Sequence, residues 1–230
     1  MTEKRTTMSI ADSLTFDANG LIPAIAQDAL TGHVRMVGYM NRESLELTLS
    51  EGRAVFYSRS RRTIWRKGES SGNELTVSAV YLDCDNDTVL LLTHPAGPTC
   101  HTGAASCFYR RVIDGVLVDE RLDAAPEMLR LERELEARRE SSSGKSYTKS
   151  LLEAGASKIG EKIREEADEL SRAIANESDE RVVSEAADVV YHVMVGLLHR
   201  GVSWRSVLGE LARRSGVSGL VEKASRTPSK

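Results

Sequence analysis

Asp83-Cys84-Asp85-Asn86-Asp87, read with Gly97-Pro98-Thr99-Cys100-His101-Thr102-Gly103 and Cys107, contains all three cysteines of the chain. Three thiolates satisfy a catalytic zinc that keeps its fourth position for water, whereas a structural zinc closes with four ligands, often in CxxC pairs. No CxxC occurs here. The competing reading makes the cysteines small buried hydrophobes, the commoner fate of a free thiol. The alternating acids favour metal. If residues 83–87 form a strand, Asp83, Asp85 and Asp87 share one face and Cys84 takes the other, and three adjacent carboxylates call for a cation. An EF-hand loop also begins DxDxD, but it needs glycine at its sixth position and glutamate at its twelfth; Thr88 and His94 stand there. The expectation is a hard, oxygen-ligated ion such as magnesium beside a thiolate-bound zinc.

The residues around this stretch read as β structure. Leu21 to Met40 is apolar and β-rich, broken at Thr31-Gly32 as a hairpin would be. Asn41 caps a short helix over about Arg42 to Ser50, ended by Gly52. Ala54 to Ser60, Leu75 to Asp83 and Thr88 to Thr93 complete a mainly antiparallel domain that carries the metal cluster on its strand ends and loops. Between them, Trp65-Arg66-Lys67-Gly68-Glu69-Ser70-Ser71-Gly72-Asn73 is a polar loop. Its backbone N–H groups, with Arg59, Arg61 and Lys67 nearby, are suited to cradle a phosphate; a solvated hairpin loop is the more frequent explanation of such a stretch.

The chain changes character after about Arg111. Residues 113–122 read as a linker between a domain over 1–112 and a helical domain over 123–230. Pro126 to Glu140 puts Met128, Leu131 and Leu135 on one stripe, and Ser141-Ser142-Ser143-Gly144 breaks it. From Ser150 onward Ile159, Ile163, Ala167, Leu170 and Ile174 form one apolar stripe, and Ala186, Val189, Val190, Val193 and Leu197 another. Joined by Asn176 to Arg181, these predict an antiparallel helix pair, followed by an amphipathic segment from Trp204 to Arg214 and a loose tail over 215–230. The whole is an α+β chain of two domains, one mainly antiparallel β and one all-α.

Within that helix pair stand Glu165-Glu166-Ala167-Asp168-Glu169 and Glu185-Ala186-Ala187-Asp188. Residues three and four apart share a helix face, so an ExxE opposes an ExxD. A solvated acidic face is the ordinary reading of such runs. Against it, the acids interleave with stripe residues that must meet the partner helix, and carboxylates between packed helices need metal. Magnesium among so many oxygens suits a di- or triphosphate substrate. Lys158 and Lys162, one and two turns upstream, are placed to hold phosphates. His192 reads as a core histidine more readily than as a ligand.

Composition narrows the partners. Lys and Arg number 13 against 15 Asp and Glu over residues 1–122, and 18 against 19 beyond, so neither half is a basic nucleic-acid module. A small molecule is expected, with no nucleic acid and no membrane. No apolar h-region stands at Met1 to Ile10, no run approaches the roughly twenty apolar residues of a membrane span, and the thiols are unpaired. A cytoplasmic setting is expected.

These motifs carry a family resemblance. Gln27-Asp28, Met40-Asn41, Ser58-Arg59-Ser60-Arg61, Trp65-Arg66-Lys67-Gly68, Ser71-Gly72-Asn73, the Asp83 to Asp87 run, Gly97 to Gly103 and Ser106-Cys107-Phe108 resemble phosphoribosyl-AMP cyclohydrolases. Ser146-Tyr147-Thr148, Lys158-Ile159, Lys162-Ile163, the Glu165 to Glu169 run, Glu185 to Asp188 and Tyr191-His192 resemble phosphoribosyl-ATP pyrophosphohydrolases. Their order is similar to that of the fused bifunctional enzymes of histidine biosynthesis, with Ser70 and Thr99 as minor departures. The resemblance implies that the helical half cleaves phosphoribosyl-ATP between its α and β phosphates, with magnesium on acids drawn from Glu165, Glu166, Glu169, Glu185 and Asp188. Glu166 and Glu169 would be catalytic. The β half would then open the adenine ring of phosphoribosyl-AMP at N1–C6, with Cys84, Cys100 and Cys107 holding zinc, Asp83, Asp85 and Asp87 holding magnesium, and His101 as general acid/base. Arg59, Arg61, Trp65, Lys67, Ser71, Gly72, Asn73, Lys158 and Lys162 would contact substrate. It further implies a homodimer, with zinc sites built where subunits meet. Two rivals are a single-function enzyme whose helical half only dimerises, and a zinc-dependent scaffold; retained acids oppose the first and an open three-thiolate set the second.

Overall fold

The computed structural model describes residue 10 and residues 13–119, 124–141 and 146–215; the loose tail expected beyond 215 and the break at 142–144 lie outside the described residues. The chain divides into two compact units, Met1–Pro126 and Glu127–Lys230.

In the first unit, β1 (Ile22–Asp28) and β2 (Val34–Met40) form the expected hairpin. Asp28 Oδ1 accepts the N–H groups of Leu30 and Thr31 at 3.0 and 3.2 Å, and Gly32 takes the positive φ of 73° that the turn requires. Helix α1 (Arg42–Glu51) starts at an Asn41–Ser44 capping box and ends where Gly52 turns left-handed. Strands β3 (Val55–Ser58), β4 (Thr63–Arg66), β5 (Leu75–Leu82) and β6 (Val89–Pro95) complete a six-stranded sheet in the order β4-β3-β2-β1-β6-β5. All its pairings are antiparallel except β1 with β6.

The core of this unit holds Ile22, Ala24, Ala26, Met40, Leu45, Phe56, Val89 and Leu91. Alternate residues of β1 are buried, as one face of a strand packed on a core should be. Gly38 is required there, because a Cβ would stand 2.4 Å from the Phe56 ring. Strand β4 takes in Trp65 and Arg66, the first two residues of the stretch read as loop. Trp65 stacks on Phe56 with centroids 5.2 Å apart, and that apolar contact draws the edge of the polar loop into the sheet. The residues read as a linker begin in a second hairpin, β7 (Arg110–Ile113) with β8 (Val116–Asp119), turning at Asp114-Gly115, both with positive φ.

The second unit contains α2 (Glu127–Glu140), α3 (Tyr147–Asn176), α4 (Asp179–His199) and α5 (Trp204–Arg214). Leu135, Leu151, Ile159, Met194 and Val195 form its core. Ser146, Ser178 and Ser203 cap the last three helices. Two features differ from the periodicity argument. Helix α3 is broken at Gly155, whose φ of 81° and ψ of −176° no helix contains. The buried α3 positions near the acids are Ile159, Glu166 and Ala173, seven apart, while the expected stripe residues Ala167 and Ile174 are exposed. A pair of helices meets along a narrow seam with a repeat of about 3.5 residues, so residues one step round from that seam stay uncovered. Among the described residues α4 alone is long and apolar enough to cross a membrane by length and composition, and only 22% of its apolar window is buried within the chain. The same helix carries Glu185, Asp188 and His192 against α3.

Candidate active sites

Residues 83–87 are a turn joining β5 to β6, between the two expected strands, and not the continuous strand that would have set the acids on one face. Asn86 takes a φ of 60°, and Asp83 Oδ1 accepts the N–H groups of Asp87 and Thr88, both at 3.0 Å. This folds the three acids together by a route other than alternation: oxygens of Asp83, Asp85 and Asp87 lie within 4.8 Å of one another, all exposed. Burial pushes the Asp83 carboxyl up, but the Thr88 and Asp87 hydrogen bonds outweigh it and hold the group below its ordinary value. A cluster of carboxylate oxygens at the surface fits a hard, partly hydrated cation.

Cys100 is buried while Cys84 and Cys107 are exposed. The thiols of Cys100 and Cys107 interact. Burial raises Cys100, yet hydrogen bonds led by Thr102, whose Oγ1 donates to Sγ at 3.2 Å, bring it below its ordinary value. Cys107 is pushed up to about 11 by desolvation and by Cys100 beside it. Cys84 does not join them. Among the described residues, the groups of three or more metal-type side chains with donor atoms within 4.8 Å are Asp83, Asp85, Asp87 and Glu166, Glu185, Asp188. The expected trio of zinc thiolates is therefore not assembled within one chain, because Cys84 sits on the β5–β6 turn and the other two on the loop after β6.

That loop borders a cleft of about 550 Å³ in which Cys100, His101 and Cys107 face Arg61, Trp65 and Lys67. Ser71 and Asn73 also line it. Gly72, Asn73 and Glu74 do not offer their N–H groups to a ligand, since these bond to Gly68 O, Ser71 Oγ and Gly72 O. The cationic side chains of Arg61, Arg66 and Lys67 meet the cleft, as do Gly68, Ser70 and Ser71. Lys67 donates to Asn73 O at 3.0 Å; burial lowers its pKa while the sulfurs of Cys107 and Cys100 pull the other way. Arg59 lies apart, its guanidinium 3.8 Å over the Tyr39 ring. Sequence reasoning passed over Arg35. This largely buried arginine donates to Thr99 Oγ1 at 3.1 Å and to Gly97 O at 3.0 Å, tying the cysteine loop to β2; an arginine inside an apolar strand was its only signal. His101 is exposed, with Nδ1 3.9 Å from Cys100 Sγ.

In the helical unit, Glu166 on α3 and Glu185 and Asp188 on α4 bring oxygens within 4.8 Å of one another, with Glu166 and Glu185 buried. Lys162 reaches Glu165 and Glu166, both at 2.9 Å, and these bonds hold its ammonium well above the ordinary lysine value. Arg181, unremarked in the sequence, meets Glu185 at 2.5 Å. Burial nevertheless raises Glu185, with Arg181 opposing and Glu169, Asp188 and Glu166 adding to the rise. Two cations thus leave the cluster short of positive charge, which fits a divalent metal. Glu169 is outside the trio but near enough for Glu185 to sense it, and it lies 3.7 Å from Arg172. Glu165 is exposed beside Lys162, and Lys158 pairs with Glu161 at 3.0 Å. His192 is buried, as a core histidine should be.

Sequence models of two families match the chain: phosphoribosyl-AMP cyclohydrolase over residues 36–109 and phosphoribosyl-ATP pyrophosphohydrolase over residues 128–215. A β unit with a thiol-lined cleft and a helical unit with a partly buried acid trio thus make up a hydrolase with one domain of each kind. The chain is 44% identical to the histidine biosynthesis bifunctional protein HisIE of Wolinella succinogenes, across 96% of this chain and 99% of that one. It is 45% identical to the chloroplastic hisIE protein of Arabidopsis thaliana, across 95% and 81%, and 41% identical to HisIE of Bacillus subtilis, across 90% and 97%. The chain belongs to the bifunctional phosphoribosyl-AMP cyclohydrolase and phosphoribosyl-ATP pyrophosphohydrolase family of histidine biosynthesis. Its activities are hydrolysis of phosphoribosyl-ATP to phosphoribosyl-AMP and pyrophosphate, and hydrolytic opening of the adenine ring of phosphoribosyl-AMP at N1–C6.

Proposed function

We propose that Glu166, Glu185 and Asp188, with Glu169 and Glu165 at the margin, hold magnesium for the first hydrolysis, and that the thiol-lined cleft performs the second. The observation that carries this is the cleft itself, where the cations suited to a phosphate meet the sulfurs and His101. Lys162 neutralises the acids and, with Lys158, draws the triphosphate to them. Magnesium polarises the anhydride and orients water when bound. In the cleft, Arg61 and Lys67 bind the substrate phosphate, Ser71 and Asn73 shape its wall with Gly72 between them in the chain, and Trp65 packs the nucleotide. Arg59, held over the Tyr39 ring, lies outside this wall.

For the second reaction, Cys100 and Cys107 with Cys84 of a second copy hold zinc, and Asp83, Asp85 and Asp87 hold magnesium. Zinc supplies hydroxide near neutral pH when bound. His101 moves a proton from the oxygen adding at C6 to N1 as the N1–C6 bond breaks. A homodimer is required because the thiols divide between two places in the chain, and the uncovered apolar face of α4 supports it. The free thiols suit a cytoplasmic setting.

Purified protein given phosphoribosyl-ATP, magnesium and zinc should release pyrophosphate and then the ring-opened product; a thiol-competing chelator should stop only the second. Failure of either product to form overturns the corresponding half. Sharing of the zinc is tested by coexpressing Cys84→Ser with Cys107→Ser. Each variant alone should fail to open the ring. Mixed dimers of a two-fold assembly regain one intact site each, so about a quarter of wild-type activity should return. No recovery in verified mixed dimers, or a fully active monomer by light scattering, contradicts the shared site.

A further inference from the structure

Strands β7 and β8 fall between the two matched segments, the first ending at residue 109 and the second starting at 128, and take no part in either site. Their hairpin is set locally. Asp114 and Gly115 form a two-residue turn with φ of 49° and 77°, the sense that matches the twist of paired strands. The N–H of Ala124 closes its base on Phe108 O at 2.9 Å, so the chain leaves at Phe108 and returns to the same place. Cross-strand partners share a face. Val112 and Leu117 stand on one, and Ile113, Val116 and Val118 on the other. Val112, Val116 and Leu117 are 67%, 62% and 55% exposed. A two-stranded hairpin is marginal in water by itself, and a solvated sheet face is normally polar; this hairpin shows apolar side chains on both faces.

Where the hairpin starts identifies what covers it. Strand β7 begins three residues after Cys107, with the exposed Phe108 between them. Tyr81, also exposed, stands three residues before Cys84 at the end of β5, the edge strand of the sheet. The isolated Arg53–Thr76 bridge occupies only the start of that edge. Three residues span at most about 11 Å. Once Cys107 of one copy and Cys84 of another share a metal, β7 of the first and the end of β5 of the second are tethered by these short segments to the same point. Their charges are complementary as well. Arg110 and Arg111 open β7, both exposed, and the exposed Asp83, Asp85 and Asp87 surround Cys84; opposite patches of this kind orient an association.

We propose that the β7–β8 hairpin is an arm that docks on a second copy of this chain, its apolar side chains against the Tyr81 end of β5 and its two arginines towards Asp83, Asp85 and Asp87. The inference rests on Cys84 of a second copy completing the thiol site. A metal ties two chains at a few atoms only, whereas the arm adds apolar burial beside that junction, and its turn holds it in shape before it docks.

The test uses the full chain carrying the photoreactive residue p-benzoylphenylalanine in place of Leu117 or, in a second preparation, of Val116, so that each face of the hairpin is probed. Irradiation should give a product of twice the chain mass, and peptide mapping should place the link at residues 75–87 of the other copy. Leu117→Asp, at an exposed position, should fold as the wild type does by circular dichroism and leave pyrophosphate release unchanged. It should weaken zinc binding in a chelator competition about 10-fold or more, as the loss of one buried aliphatic side chain would. Links within one chain, links to residues 127–215 of either copy, or no link from either position overturn the proposal, as does an unchanged zinc affinity in folded Leu117→Asp. The coexpressed Cys84→Ser and Cys107→Ser chains test the underlying reading separately. Recovered ring opening without a link to residues 75–87 leaves the shared zinc standing and removes the arm; the link without recovery removes the shared zinc and supports the docking.

Discussion

Cys100→Ser is expected to abolish ring opening while leaving pyrophosphate release from phosphoribosyl-ATP at its wild-type rate. Serine is nearly the same size, so the loop should keep its fold; Thr99 and Cys100 N–H groups still bond to Ala105 and Ala104 at 3.3 and 3.0 Å, and Arg35 still anchors Gly97 and Thr99. What changes is the donor. A hydroxyl is a harder and far less acidic ligand than a thiol, and zinc selects thiolate. The loss should exceed the roughly 10- to 100-fold that follows removal of an outer partner of a metal ligand. Zinc content by atomic absorption and both rates on one sample decide it. Ring opening that persists in a zinc-depleted Cys100→Ser protein would overturn the thiol site, and parallel loss of both activities would show general damage.

Glu185→Gln should reduce pyrophosphate release at least about 10²-fold, the scale on which a single preorganised electrostatic group acts, while ring opening of supplied phosphoribosyl-AMP continues. Without metal it should also raise the melting temperature at neutral pH. Burial raises the Glu185 carboxyl above its ordinary value, and Arg181 only partly opposes this. A carboxyl whose folded pKa is raised favours folding below its unfolded value, about 4.5, and that contribution is lost as pH rises through the folded value. The neutral amide keeps the favourable state at all pH. The difference in melting temperature between variant and wild type should therefore be present at pH 7 and shrink as pH falls towards 4.5. Magnesium should reverse the order, because only the wild type gains from binding it. A variant that melts lower than metal-free wild type at pH 7 would mean that the Arg181 pair outweighs burial.

The helix and strand types, and the acids that share a helix face, were legible because each rests on local chemistry. Asn41 and Gly52 bracket α1 through caps that neighbouring residues complete, and Thr31-Gly32 sets the β1–β2 turn through backbone sterics. The acids three residues apart on α3 and α4 had to share a helix face wherever those helices lay. Residues 83–87 are instructive because the reasoning and the outcome part company. The carboxylates do gather, but through a turn stabilised by Asp83, where the argument for a shared face had taken the stretch as a strand. Period-two spacing is compatible with either geometry, and pattern alone does not separate them.

From the sequence alone come the two domain types, the thiols, the opposed acids and the family they resemble, since composition, periodicity and motif spacing are properties of neighbours along the chain. The tertiary structure decided which of those residues meet. Glu166 joins Glu185 and Asp188 while Glu169 stays outside, because the phase of a two-helix seam depends on how both helices pack. Arg61, Trp65 and Lys67 share a cleft with Cys100 and Cys107, whereas Arg59 lies on Tyr39 and Cys84 on a separate turn. Tyr147 reaches His192 only because Gly155 interrupts α3. Each such meeting joins residues far apart in sequence, and its geometry is set by packing and by backbone angles at a few positions.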